Sequence, residues 1–179
     1  SLGDSNGEKR KAAIETVEHI LDLTESLSPS TFTVHLTFEE KSRSKTEIAF
    51  WKERLYESFD RIAKKAPLQS FTVENLVDYP FEWVEELIKK TDLRVCLDIG
   101  HCIERGENFG EAYCRRHKKI DILHIYGVTA EKGHQSLKHL EIKCCEELIT
   151  ILSNFLGVVS LEVFSYEKLK ESLDVLESW

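Results

Sequence analysis

Carboxylates and imidazoles recur in this chain at one parity of short apolar segments. The segments are Thr33-Val34-His35-Leu36-Thr37, Thr72-Val73-Glu74-Asn75, Cys96-Leu97-Asp98-Ile99-Gly100-His101, Ile122-Leu123-His124-Ile125-Tyr126 and Ser160-Leu161-Glu162-Val163-Phe164. Side chains alternate faces along a strand, so one face of each segment is largely Val, Leu or Ile. The opposite face carries the ligand-type residue among mostly small or polar neighbours. Mixed carboxylate and imidazole donors suit a catalytic divalent ion such as Zn, Mn, Fe or Co with a position left open for water or substrate. A glutamate buried at a strand end is costly unless paired or metal-bound, which points to Glu74 and Glu162 as ligands.

Asp98-Ile99-Gly100-His101 is the most specific local signal. Asp98 closes a strand, and Gly100 is expected to let the backbone turn so that His101 faces the same pocket. The bland reading of Asp98 is a helix cap and of His101 a loop residue. His124 lies mid-strand between Leu123 and Ile125, where a lone histidine is more often a core residue; the constellation favours a ligand. His35 is compatible with a metal ligand, a substrate contact or a core histidine bonded to Thr33 or Thr37. His134 is compatible with a further ligand, a general acid or an exposed loop histidine. Tyr126 is a candidate substrate contact or a packing residue. His19 and His117 fall on helix surfaces and have no assigned role.

The elements that must position these residues alternate. Helices are expected at 11–27, 46–65, 81–91, 107–117, 142–155 and 166–178, with strands at 31–38, 69–76, 93–99, 120–127 and 158–164. Residues 1–10 are expected to fray, and 129–140 reads as a loop with at most a very short strand. Short connections between alternating strands and helices define an α/β chain with parallel crossovers. The polar parity favours a barrel interior over an open doubly wound sheet, whose strands read as continuous apolar runs. A closed parallel (β/α)8 barrel needs more strands than the five good ones counted here, so the first two βα units are expected to be missing from this 179-residue sequence. The reading is a single partial barrel domain over 1–179.

Composition narrows the function classes. The chain is 41% hydrophobic and 31% charged, which fits a globular fold, and no apolar run reaches the roughly 20 residues of a membrane span. A net charge of −8 argues against tight, sequence-independent binding of nucleic acid. The polar start, Ser1-Leu2-Gly3-Asp4, and five cysteines with no CxxC pair read as a cytoplasmic protein with reduced thiols. Arg115, Arg116, Lys118 and Lys119 read as a solvated helix end.

Taken together, these motifs resemble the xylose isomerase-like superfamily of metal-dependent TIM barrels (AP endonuclease family 2), which includes sugar isomerases and epimerases and endonuclease IV. The resemblance assigns the family's strand-end glutamate to Glu74, its Asp-x-x-His to Asp98 and His101, its next strand histidine to His124 and its final glutamate to Glu162. It implies one metal held by Glu74, Asp98, His124 and Glu162. In endonuclease IV extra histidines bind further zinc ions, and His35, His101 and His134 would be the candidates here. Two departures narrow the match. Sugar isomerases usually follow the strand histidine with a polar pair such as Lys-Asp, where this chain has Ile125-Tyr126. Endonuclease IV has Asp-x-His in the next loop, where this chain has Gly133-His134-Gln135-Ser136-Leu137. With the surrounding motifs, these features look more like the cobamide-remodelling phosphodiesterases, which open the nucleotide loop of vitamin B12-type corrinoids.

That resemblance implies a metal-dependent hydrolase in which Glu74, Glu162, His101 and His134 are the catalytic candidates and His35 and Tyr126 the substrate contacts. The competing readings are a sugar phosphate isomerase or epimerase, an abasic-site endonuclease, and a non-catalytic metal- or corrinoid-binding module. The expected partner is a small molecule, a corrinoid or a sugar phosphate.

Overall fold

The computed structural model describes residues 1–40, 42–130 and 132–179. It contains two compact units, Ser1–Arg94 and Val95–Trp179.

In the first unit, Asn6 opens helix α1 (Gly7–Thr24) by accepting from the backbone N–H groups of Glu8 and Lys9. Strand β1 (Phe32–Val34) follows, then helix α2 (Lys45–Ile62). Ser44 caps α2 by accepting from Glu47 N, one of the backbone donors that the helix start leaves open, and its hydroxyl donates to the Glu47 carboxylate. Trp51, Leu55, Phe59 and Ile62 recur at spacings of four, four and three, and all are buried. Strand β2 (Phe71–Glu74) and helix α3 (Glu82–Lys90) complete the unit. β1 and β2 are parallel, with Thr33 opposite Thr72 and Val34 opposite Val73. One step further, this register sets His35 beside Glu74.

Both strands are shorter than the alternation predicts. The carbonyls beyond β1 turn to side chains: Leu36 O accepts from Tyr79 Oη and Thr37 O from Trp51 Nε1. The first ten residues are not frayed. Leu2 is buried, its carbonyl accepts from the buried Ser58 hydroxyl, and Gly3 O accepts from Arg54 Nε. Polar groups on α2 anchor this segment, a tertiary effect that local composition does not encode.

In the second unit, strand β3 (Arg94–Asp98) runs directly into helix α4 (Ile99–Glu104), where the glycine at 100 predicts a turn. Helix α5 (Phe109–Arg116), strand β4 (Ile120–Ile125), helix α6 (Ile142–Leu152), strand β5 (Val158–Leu161) and helix α7 (Tyr166–Glu177) follow. β4 is parallel to both β3 and β5. Asp98 lies opposite His124, and His124 opposite Ser160. Glu162 N donates to Ile125 O, so the ladder continues one residue past β5 and presents Glu162 on the His124 face.

The 129–140 stretch is a loop that ends in a 3-10 turn, Leu137–His139; Glu131 lies outside the described residues. Its weak strand reduces to one antiparallel bridge, Gly127 with Gln135. Its far end is pinned by Leu137 N donating to the buried Ser172 hydroxyl of α7. Among the described residues, no helix is long and apolar enough to cross a membrane.

Candidate metal centre

Asp98 is fully buried at the end of β3, and its two oxygens have different surroundings. Oδ1 accepts from His101 N at 2.7 Å and caps α4. Oδ2 lies 3.7 Å from His124 Nδ1 and 3.6 Å from His101 Nδ1. The cap and the oxygen that faces His124 are thus separate atoms of one carboxylate. His124 Nδ1 lies 3.5 Å from Glu162 Oε2. The donor atoms of Asp98, His124 and Glu162 all fall within 4.8 Å of one another.

These separations suit a shared ion. Bonds of about 2.0–2.2 Å around one tetrahedral or octahedral ion place neighbouring donors roughly 3.0–3.6 Å apart. Two carboxylates this close also repel, and a divalent cation offsets that repulsion. One imidazole with two carboxylate oxygens is a borderline-to-hard donor set, suited to Zn, Mn, Fe or Co. The residues present therefore fit a divalent metal.

Three histidine or tyrosine rings adjoin this cluster. His101 is nearly enclosed, its ring edge-on to both Tyr126 and His134 at 6.2 Å. His134 adopts a left-handed backbone, φ 51°, which is uncommon for a residue with a side chain. Its ring lies between Tyr126, 4.1 Å away and stacked, and Phe164, 4.7 Å away and tilted. His134 Nδ1 lies 3.0 Å from the Glu162 carbonyl, and its own carbonyl accepts from Lys168 Nζ. A carbonyl only accepts, so Nδ1 carries the proton in this bond and the neutral ring keeps its lone pair on Nε2.

Tyr126 is fully buried, and its hydroxyl donates to Glu104 Oε1 at 3.0 Å. Burial foremost, then the charges of Asp98 and Glu104, hold its phenol well above the ordinary tyrosine range. Tyr126 therefore stands behind His134 as a neutral ring. Gly100 serves this ring rather than the turn: it lies inside α4, and a Cβ there would sit 2.1 Å from Tyr126 Cζ. Gly133 meets Glu104 Oε1 in the same way, at 2.1 Å. An open cavity of about 540 Å³ adjoins Glu104 and Gly133 and is lined also by Thr129, Lys132 and Glu141.

Glu74 ends β2 and is 1% exposed, with His35 Nε2 at 3.1 Å from its Oε2. His35 itself is exposed, not a core residue, and Thr33 and Thr72 join hydroxyls beneath the pair at 3.0 Å.

Glu104, Phe164 and Lys168 have no role assigned from the sequence. Glu104 looks like a helix-surface acid, and the approach of Tyr126 gives it a partner. Phe164 shares the parity of Glu162, the one clue that could have found it.

A family model described as the xylose isomerase-like TIM barrel matches residues 1–179. The chain belongs to that family. No curated protein sequence matches it. Among solved structures, it is similar to 3-keto-D-glucoside 4-epimerase YcjR from E. coli, with 14% identity and a TM-score of 0.72, covering 99% of this chain and 73% of that one. It is similar to SacUVDE, with 14% identity and a TM-score of 0.74, covering 99% and 62%. It is also similar to the probable 3-DHS dehydratase AsbF of petrobactin synthesis from Bacillus anthracis, with 17% identity and a TM-score of 0.72, covering 97% and 72%. Likeness at these identities concerns the fold. The α/β barrel class read from strand parity is the class of the family.

Proposed function

We propose that this chain carries the centre of a divalent-metal-dependent hydrolase that cleaves a phosphoester, with the nucleotide loop of cobamides as substrate. The observation that carries the reading is the convergence of Asp98 Oδ2, His124 Nδ1 and Glu162 Oε2, with His134 held against Glu162. Glu74 is proposed as the fourth ligand, from its strand-end position and its match to the family's glutamate. A bound divalent ion supplies Lewis-acid activation of water and neutralises charge on phosphoryl oxygens.

The chain's own residues supply orientation and proton handling. Asp98 is fixed by its capping bond, which prevents Oδ1 from swinging and holds Oδ2 toward His124. Glu162 is held at its backbone by Ile125 O and by His134 Nδ1. His134, with Nε2 unprotonated in its neutral form, suits acceptance of a proton from a nucleophile better than donation to a leaving group. His101, beside Asp98, remains the candidate acid for the leaving oxygen. The cavity against Glu104 and Lys132 gives room for a substrate that extends beyond the reacting bond. The cobamide assignment itself rests on the resemblance of the His124–Val128, His134–Leu137 and Ser160–Phe164 segments to that branch.

The second reading is a sugar or sugar phosphate isomerase or epimerase, with Glu74 and Glu162 exchanging a proton at carbon. Similarity to the E. coli epimerase favours it. One experiment separates the two: metal-loaded protein is incubated with a cobamide coenzyme and, in parallel, with a ketose panel in deuterated water. Loop-opened corrinoid detected by mass spectrometry, abolished by chelator and by Glu162→Ala, supports the hydrolase. Deuterium in a sugar with an intact corrinoid overturns it.

A further inference from the structure

The parallel register of β1 and β2 has one consequence at its open end. Thr33 pairs with Thr72 and Val34 with Val73, so the next rung brings His35 to Glu74. Glu74 is 1% exposed, while more than half of the His35 side chain is open. An ionised carboxylate only accepts, so His35 Nε2 donates the bond to Oε2 at 3.1 Å. Two rungs back, on the same face, the two threonine hydroxyls meet, and the β2 backbone holds the base of the glutamate. The carboxylate therefore has a donor clamped on one oxygen.

We infer that His35 is a positioning residue for Glu74: its Nε2–H engages Oε2 and so fixes the rotation of the carboxylate that is offered to a divalent ion. This inference rests on the metal reading of Glu74 given above. It differs from making His35 a ligand or a substrate contact, because His35 acts here only through the glutamate. Partners that hold a ligating group in orientation commonly contribute about 10- to 100-fold to metal affinity.

The test is calorimetric titration of the full chain with Mn²⁺ and Zn²⁺, comparing wild type, Glu74→Ala, His35→Ala and His35→Gln. Melting curves of the variants verify that each is folded under the titration conditions, so that a loss of binding is read separately from a loss of stability. His35→Ala is expected to weaken metal binding by about 10- to 100-fold. His35→Gln, whose amide still donates to a carboxylate, is expected to recover most of that loss. Wild-type affinity in His35→Ala overturns the inference. Equal loss in His35→Ala and His35→Gln also overturns it and makes His35 a direct ligand. Unchanged binding in Glu74→Ala refutes the glutamate as ligand, and the inference falls with it. Absence of binding by the wild type removes the metal reading as a whole, a pattern distinct from the other three.

Discussion

Replacing Gly100 with alanine is expected to destabilise the second unit through a single contact. The added Cβ would lie 2.1, 2.2 and 2.6 Å from three ring carbons of Tyr126. Carbon atoms settle at about 3.5–4.0 Å, so the ring must retreat by more than roughly 1 Å. It has little room to do so. Tyr126 is fully buried, its face is stacked on His134 and its hydroxyl is tied to Glu104. Overpacking of this kind costs about 1–3 kcal/mol. For a chain of this size each kcal/mol moves the melting temperature by about 2–4 °C, so the expected loss is about 2–12 °C. Differential scanning calorimetry measures it. Gly7→Ala is the control: a Cβ there meets nothing within 4 Å, and alanine favours the helix that Gly7 begins. A Gly100→Ala variant that melts within about 1 °C of wild type would refute the claim that this glycine exists to admit the tyrosine.

Three further outcomes are expected. Glu162→Ala and Asp98→Asn should each weaken divalent-metal binding by more than about 100-fold in calorimetric titration, exceeding the loss caused by any outer partner; retained affinity removes them as ligands. Nitrogen-15 NMR of the His134 ring, at a pH where it is neutral, should find the proton on Nδ1, and Phe164→Ala should blur that preference by freeing the ring; a proton on Nε2 in the wild type contradicts the bond to the Glu162 carbonyl. Burial, helped by Glu107 and Asp98, pushes the Cys102 thiol up to about 12 from an ordinary 9.0. The folded protein thus keeps a proton that the unfolded chain releases. The associated stability is present below about pH 9 and falls as pH rises toward 12, by at most about 1.4 kcal/mol per pH unit. Melting temperatures across that window should decline, and Cys102→Ala should flatten part of the decline; an identical slope in the variant refutes the assignment.

Strand parity was enough to single out Asp98, His124 and Glu162, whose donor atoms lie within 4.8 Å of one another, because alternation along a strand is a local geometric rule and a ligand-type residue breaks an otherwise apolar pattern. The same rule flagged Glu74 and His35 but could not pair them, since cross-strand partners follow from register, which links residues 39 positions apart. Local spacing also misread Gly100. A glycine beside an aspartate at a strand end looks like a turn, yet the backbone there is helical and the missing Cβ answers to Tyr126, 26 residues later.

The sequence by itself determined the α/β class, the alternation of the five strands with the longer helices, and the donor types that converge, since each is written in periodicity and in side-chain chemistry. Tertiary structure alone decided which oxygen of Asp98 caps and which faces His124, which nitrogen of His134 holds the proton, and why Glu104 and Phe164 matter. Those outcomes depend on distances of 3–4 Å between residues remote in the chain. No local pattern specifies such distances, because they are set by how neighbouring elements pack.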